Sequence, residues 1–326
     1  MRRRSPRDIG ASVRQRLLNE ARASGRPFNE VLQYFAMERF LFRLSKSPHG
    51  DRFVLKGALL LVTWEIPITR STRDIDLLGK VANDLEVMVA IVREVCRQEV
   101  RPDGLEFDPD SVSAERIAEE AEYEGVRVRF RGNLGTARVS MQIDVGFGDA
   151  VVPGPVTVDY PTILDLPSPR VRVYTRESVI AEKFHIMVRR GLLNSRIRDF
   201  FDVWALSRQF DFDGRVLAEA IRETFARRDQ SIVPLPVALT GDFAADASKA
   251  AQWRGFLRKD RLQEAPTSSR CRPRRPIGSS PRSSGHARSG RRERNGSGRN
   301  RWARAASAAV PSRCRRSSSR ARVRRR

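Results

Sequence analysis

The chain has 326 residues, 40% hydrophobic and 31% charged, with a formal net charge of +23. This balance suits one large or two ordinary globular domains and excludes fibrous and collagen-like classes. The three cysteines, Cys96, Cys271 and Cys314, give no disulfide framework, and with so few histidines there is no Cys/His metal signature.

The charge is distributed unevenly. From Ser269 onward many arginines meet a single acid, Glu293, while the preceding body is close to neutral. The body's basicity therefore names no partner. The start, Met1–Gly10, is basic but lacks the apolar stretch of a secretory signal. No apolar run approaches a membrane span, so a cytoplasmic protein without membrane contact is expected.

Residues 8–45 read as two helices. Val31, Leu32, Phe35, Phe40, Leu41 and Leu44 recur at helical spacing, giving a core-packing hairpin. Ser47-Pro48-His49-Gly50 is a turn that leaves His49 solvated. Lys56-Gly57-Ala58 then opens an apolar run, Leu59–Trp64, long enough for about two helical turns. A small-residue turn at a helix start lets backbone N–H groups approach a phosphate. Arg70, Ser71, Thr72 and Arg73 offer further phosphate contacts.

Asp74-Ile75-Asp76 follows. If Arg73–Leu78 is a strand, its period of two places both carboxylates on one face and Ile75 and Leu77 on the other. Two carboxylates side by side repel and desolvate poorly. A shared hard divalent cation such as magnesium removes that cost.

Asn83 would cap a helix carrying Leu85, Val89, Val92 and Cys96, with Cys96 a buried small hydrophobe. An acidic segment and a short helix at 114–122 come next. Strands are expected at Gly125–Arg131 and Thr136–Phe147, turning near Gly132-Asn133. In the second strand, Asp144 shares the polar face with Ser140 and Gln142, and Asp149 just beyond is its rival. The proline-rich stretch from Pro153 to Pro169 reads as an extended crossing.

Thr175 with Ser178 marks another helix start, and Ile180, Phe184 and Met187 form its apolar stripe. Lys183 lies on that side, placed to pair with a carboxylate or to meet a triphosphate; His185 is expected at the surface. Gly191 ends the helix and Asn194 or Ser195 caps the next, where Asp199 and Asp202 share a face near Arg196 and Arg198. Further helices are expected at 215–226 and 242–259, with Trp253, Phe256 and Leu257 as packing residues. From Pro266 apolar periodicity ends. Such a segment cannot bury enough surface to fold alone, and as a polycation it would bind nucleic acid without sequence preference. Its abrupt Arg/Ser composition also suits a frameshift product.

A glycine turn, a helix and Asp-x-Asp on a strand is the ground plan of the DNA polymerase β-like nucleotidyltransferase fold. LKGALL followed by RSTRDIDLL, with the later A-E-K and R-D-x-x-D segments, resembles the AbiEii/AbiGii nucleotidyltransferase toxin family. The resemblance implies an α+β nucleotidyltransferase fold with a mixed β-sheet, N-terminal helices and a C-terminal helical domain. It divides the chain into residues 1–168, 169–264 and the tail 265–326. It implies Mg2+-dependent transfer of a nucleotide from an NTP to RNA, tRNA in some relatives, with a separately encoded antitoxin as partner.

On that match Asp74, Asp76 and Asp144 hold the metal, and Asp144 alternatively activates the acceptor hydroxyl. Lys56, Gly57, Ala58, Ser71, Arg73 and Lys183 face the nucleotide, and Asp199 orients Lys183 or the acceptor. The turn departs from the family by reading Lys-Gly-Ala, which lacks a serine hydroxyl. Two other classes share these residues: a degenerate member that binds RNA or a protein, and a phosphohydrolase.

Overall fold

The computed structural model describes residues 6–64, 72–117 and 125–259. Two N-terminal helices, α1 (Pro6–Ser24) and α2 (Phe28–Lys46), form the expected pair. α2 is buried on nearly every side from Val31 to Leu44, which forces its charged residues into pairs. Arg39 meets Glu38 at 2.6 Å. Arg43 grips Asp103 through both terminal nitrogens, at 2.8 and 3.0 Å.

The helices pack on a seven-stranded mixed sheet in the order β3-β4-β5-β2-β1-β7-β6. Its strands are β1 (Phe53–Lys56), β2 (Ile75–Gly79), β3 (Leu105–Ile117), β4 (Gly125–Leu134), β5 (Ala137–Phe147), β6 (Val156–Asp159) and β7 (Arg170–Val173). β1 runs antiparallel to β2, and β2 runs parallel to β5. This is the expected α+β class.

Several local expectations are corrected. Ala114–Ile117 continue β3 after an irregularity between Asp108 and Ser113, where a helix was expected; 118–122 lie outside the described residues. Burial of Val112, with Ala114 packed on the core, favours the strand. The hairpin turns at Gly135-Thr136, not at Gly132-Asn133. Gly135 has φ +59, a left-handed conformation that glycine adopts without Cβ strain, while Gly132 stays mid-strand opposite Val139.

α4 (Leu85–Arg97) is capped by Asp84, whose side chain accepts from the Val87 N–H; Asn83 instead receives Arg116. The buried face of α4 centres on Met88, Ile91, Val92, Val95 and Cys96. Burial pushes the Cys96 thiol up to about 12, fitting a packing role. His49 is buried, with Nε2 at 2.6 Å from Glu94, so it is not solvated. The stretch read as a crossing contains β6, paired antiparallel with β7, and β7 joins the sheet beside β1.

After the sheet come α5 (Arg176–Arg190), α6 (Ile197–Gln209), α7 (Gly214–Arg227), α8 (Gly241–Ala245) and α9 (Ala247–Lys259). One continuous apolar core runs from α1 and α2 through the sheet to α5 and α7. A smaller cluster of Ile197, Phe256 and Leu257, with Phe201 and Trp253, fixes α9 on α6. Among the described residues no helix is long and apolar enough to cross a membrane. The Arg-rich tail from 265, with Cys271 and Cys314, lies outside the described residues.

Candidate active site

The strand registers place five charged residues in one row across the sheet. Lys56 on β1 stands opposite Asp76 on β2, Asp76 opposite Asp144 on β5, Asp144 opposite Arg127 on β4, and Arg127 opposite Glu115 on β3. Two carboxylates thus lie side by side, with a cation beyond each. Asp74, two residues before Asp76, falls on the same face. One oxygen from each of Asp74, Asp76 and Asp144 lies within 4.8 Å of the others, and all three residues are half-buried.

This donor set fits a hard divalent cation, which takes oxygen ligands and offsets the mutual repulsion of the three acids. Gly57 supports the fit. Its φ is +69, and a Cβ there would stand 1.9 Å from Asp76 Oδ2. Only glycine lets the turn press against that carboxylate.

Neighbouring elements orient the acids. Thr72 Oγ1 donates to Asp74 Oδ1 at 2.6 Å, and the Thr72 N–H donates to the Tyr34 hydroxyl at 3.0 Å. Gln33 of α2 donates to the carbonyls of Arg73 and Ser140, tying the leads into β2 and β5 together. Arg127 holds Asp144 in a two-point fork, Nε to Oδ1 at 2.8 Å and Nη2 to Oδ2 at 2.7 Å.

The trio opens into a cleft of about 1010 Å³ that Gly57, Ala58, Arg73, Lys183 and Asp199 also line. The apolar run behind the turn is one α turn, α3 (Gly57–Leu60), followed by a 3-10 turn, Leu61–Trp64. Arg70 and Ser71 lie outside the described residues. Lys183 Nζ donates to Asp199 Oδ1 at 2.7 Å and meets Asp202 Oδ2 at 2.9 Å; Arg196 meets the other oxygen of Asp199 at 3.2 Å.

A second cluster lies deeper in the same cleft. The Lys56 ammonium reaches down to Asp149 at 2.7 Å and Glu182 at 3.6 Å. Burial alone would lower its pKa; the two carboxylates raise it instead. Arg228 takes the other oxygen of Asp149, and the Tyr174 hydroxyl lies 3.0 Å from Glu182 and 3.3 Å from Asp149. Burial opposes the charge of Asp149, yet Lys56 and Arg228 bring its carboxyl down to about 2, whereas burial lifts Glu182 to about 7. Asp149 keeps the negative charge, and Glu182 is the protonatable partner. Asp149 therefore belongs to this cluster and not to the trio.

His185 is the clearest correction on α5. It is buried at 2% exposure, edge-on to Phe225, and burial with nearby Arg228 and Arg189 drives its pKa down to about 4. Sequence reasoning also missed Arg127, Glu182 and Arg228. Of these only Arg127 had a readable signal: counting back from Gly135-Thr136 pairs it with Asp144, and counting from Gly132-Asn133 does not.

A family model described as the nucleotidyl transferase AbiEii toxin of a type IV toxin–antitoxin system matches residues 39–274. No curated protein matches the chain. Two crystal structures from Helicobacter pylori are similar to it. One, of a candidate nucleotidyltransferase, is 14% identical, covers 70% of this chain and 93% of its own, and has a TM-score of 0.36. The other, of JHP933, is 14% identical, covers 71% and 94%, and has a TM-score of 0.37.

Proposed function

Because the chain belongs to the AbiEii nucleotidyl transferase toxin family, we propose that it transfers a nucleotide from an NTP to an RNA acceptor, tRNA included, in a magnesium-dependent reaction. The observation that carries this reading is the trio itself: Asp76 and Asp144 in register on parallel strands, Asp74 on the same face, and Gly57 pressed against Asp76.

Asp74, Asp76 and Asp144 would hold the ion, which when bound supplies positive charge to the transferring phosphoryl group. Gly57 and Ala58 present backbone groups to the phosphates, with Arg73 on the same cleft; a contact from Ser71 is carried over from the family resemblance alone. Lys183 adds a cation on the far wall, and its pairing with Asp199 keeps it aimed into the cleft. Lys56 acts one step back, because its ammonium is held by Asp149 and Glu182 and sets the position of the Gly57 turn. Asp144 is a poor free base, since Arg127 occupies both of its oxygens. Residues 1–168 would supply the trio and 169–264 the Lys183–Asp199 wall. The protein would act in the cytoplasm, opposed by a separately encoded antitoxin.

The test is incubation of the full chain with magnesium, each α-labelled NTP in turn, and total bacterial RNA. Label should enter RNA and vanish in Asp76→Asn and Lys183→Ala. Release of phosphate without labelled RNA would instead identify a phosphohydrolase. Failure to bind NTP in magnesium would leave a binding protein on this fold.

A further inference from the structure

We propose that Arg127 sets the affinity of the metal site, as a resident counter-ion that competes with the divalent cation for Asp144. The inference rests on the reading of the trio as a metal site. In the charged row across the sheet, the carboxylates of Asp76 and Asp144 are neighbours, and each has a cation on its outer side. The two cations differ in where their charge goes. Lys56 makes its close ion pairs with Asp149 and Glu182, and its pull on Asp76 is weaker than on either.

Arg127 instead gives its planar fork wholly to Asp144, at 2.8 and 2.7 Å. Its other cross-strand neighbour, Glu115, is already paired with Arg129 at 2.8 Å. Arginine keeps its charge at any working pH, and its two-point fit to a carboxylate is rigid. Of the three acids, Asp144 is the one whose charge a guanidinium fork already meets, so Arg127 takes away part of the attraction the trio offers a divalent ion. The same fork takes one lone pair on each oxygen of Asp144, so an ion that binds an oxygen of Asp144 shares it with a charged donor. Both effects lower affinity: a fixed positive charge a few ångströms away repels the ion, and the ligand has a prior partner.

The experiment is Mn2+ binding to the full chain without nucleotide, followed by the loss of the free Mn2+ paramagnetic signal. Arg127→Gln is expected to bind Mn2+ about tenfold more tightly than wild type. Arg127→Lys keeps the charge but not the fork, and should bind about threefold more tightly, by loss of competition alone. It also answers the question should the glutamine variant not fold. If wild type binds Mn2+ and the folded variants bind it equally or more weakly, Arg127 has no such role, and the metal site stands. If wild type binds no Mn2+, the metal site and the role of Arg127 fall together.

Discussion

Gly57 is the position where a single methyl group matters most. Alanine there meets two penalties at once: a left-handed backbone, costing roughly 1–2 kcal/mol, and overlap with Asp76 Oδ2. The overlap is with a side chain, so the fold survives by displacing the carboxylate the site needs. Gly57→Ala should therefore lower nucleotidyl transfer about hundredfold, the scale of an ångström's misplacement, while thermal unfolding shows only a modest loss. A variant with wild-type transfer would show that Asp76 need not stand against the turn. Thr72 offers a gentler probe of the same site. Its hydroxyl fixes one oxygen of Asp74, and Tyr34 fixes Thr72 in turn. Thr72→Val keeps the shape and removes the donor. Unlike the charged fork on both oxygens of Asp144, this neutral donor holds one oxygen of Asp74 and orients the carboxylate without competing for its charge. Manganese affinity should therefore weaken about tenfold, with the far-ultraviolet circular dichroism unchanged.

At the scale of elements, α2 is the beam on which the active strands hang. It carries Gln33 and Tyr34 toward the leads of β2 and β5, and it carries Arg43 into the core to meet Asp103 ahead of β3. The Arg43 guanidinium is buried with its partner and also donates to the Leu105 carbonyl. Asp103→Ala would leave that cation uncompensated, so unfolding stability should drop by about 3–5 kcal/mol in urea titration. The apolar pair Arg43→Met with Asp103→Leu should recover much of the loss; if the single change costs nothing, α2 is not anchored this way. The elements around the trio were legible because short-range signals sufficed: alternation around Asp74-Ile75-Asp76, a glycine turn, a threonine cap at Thr175. What escaped depended on register. Placing the β4–β5 turn three residues early hid the pairing of Arg127 with Asp144. An acidic stretch with little apolar content concealed the end of β3, which gains its strand character from pairing with β4.

Across the whole molecule, the sheet and the C-terminal helices meet at Lys56, Asp149, Glu182 and Arg228, four residues contributed by four separate stretches of chain. No local pattern could assemble them, and His185 looked like a surface residue because its burial comes from α7, through Phe225. This junction titrates in a way that can be measured. The folded His185 has a pKa near 4, below the ordinary 6.5, because burial and then Arg228 and Arg189 disfavour its cation, while Asp149 only partly opposes them. Its stabilising contribution is fully present above about pH 6.5 and is lost as pH falls toward 4. Glu182 runs the other way. Its folded value near 7 lies above the ordinary 4.5, so its contribution is greatest below 4.5 and fades as pH rises through 7. Between pH 7 and 5 the two trends offset each other in the wild type. In His185→Leu only the Glu182 trend remains. That variant should therefore gain stability relative to wild type on going from pH 7 to pH 5, by about 1–2 kcal/mol in paired urea titrations. Parallel pH profiles for the two proteins would mean that His185 takes up its proton in the folded chain as readily as in the unfolded one, and that α5 does not bury it against α7 as a neutral ring.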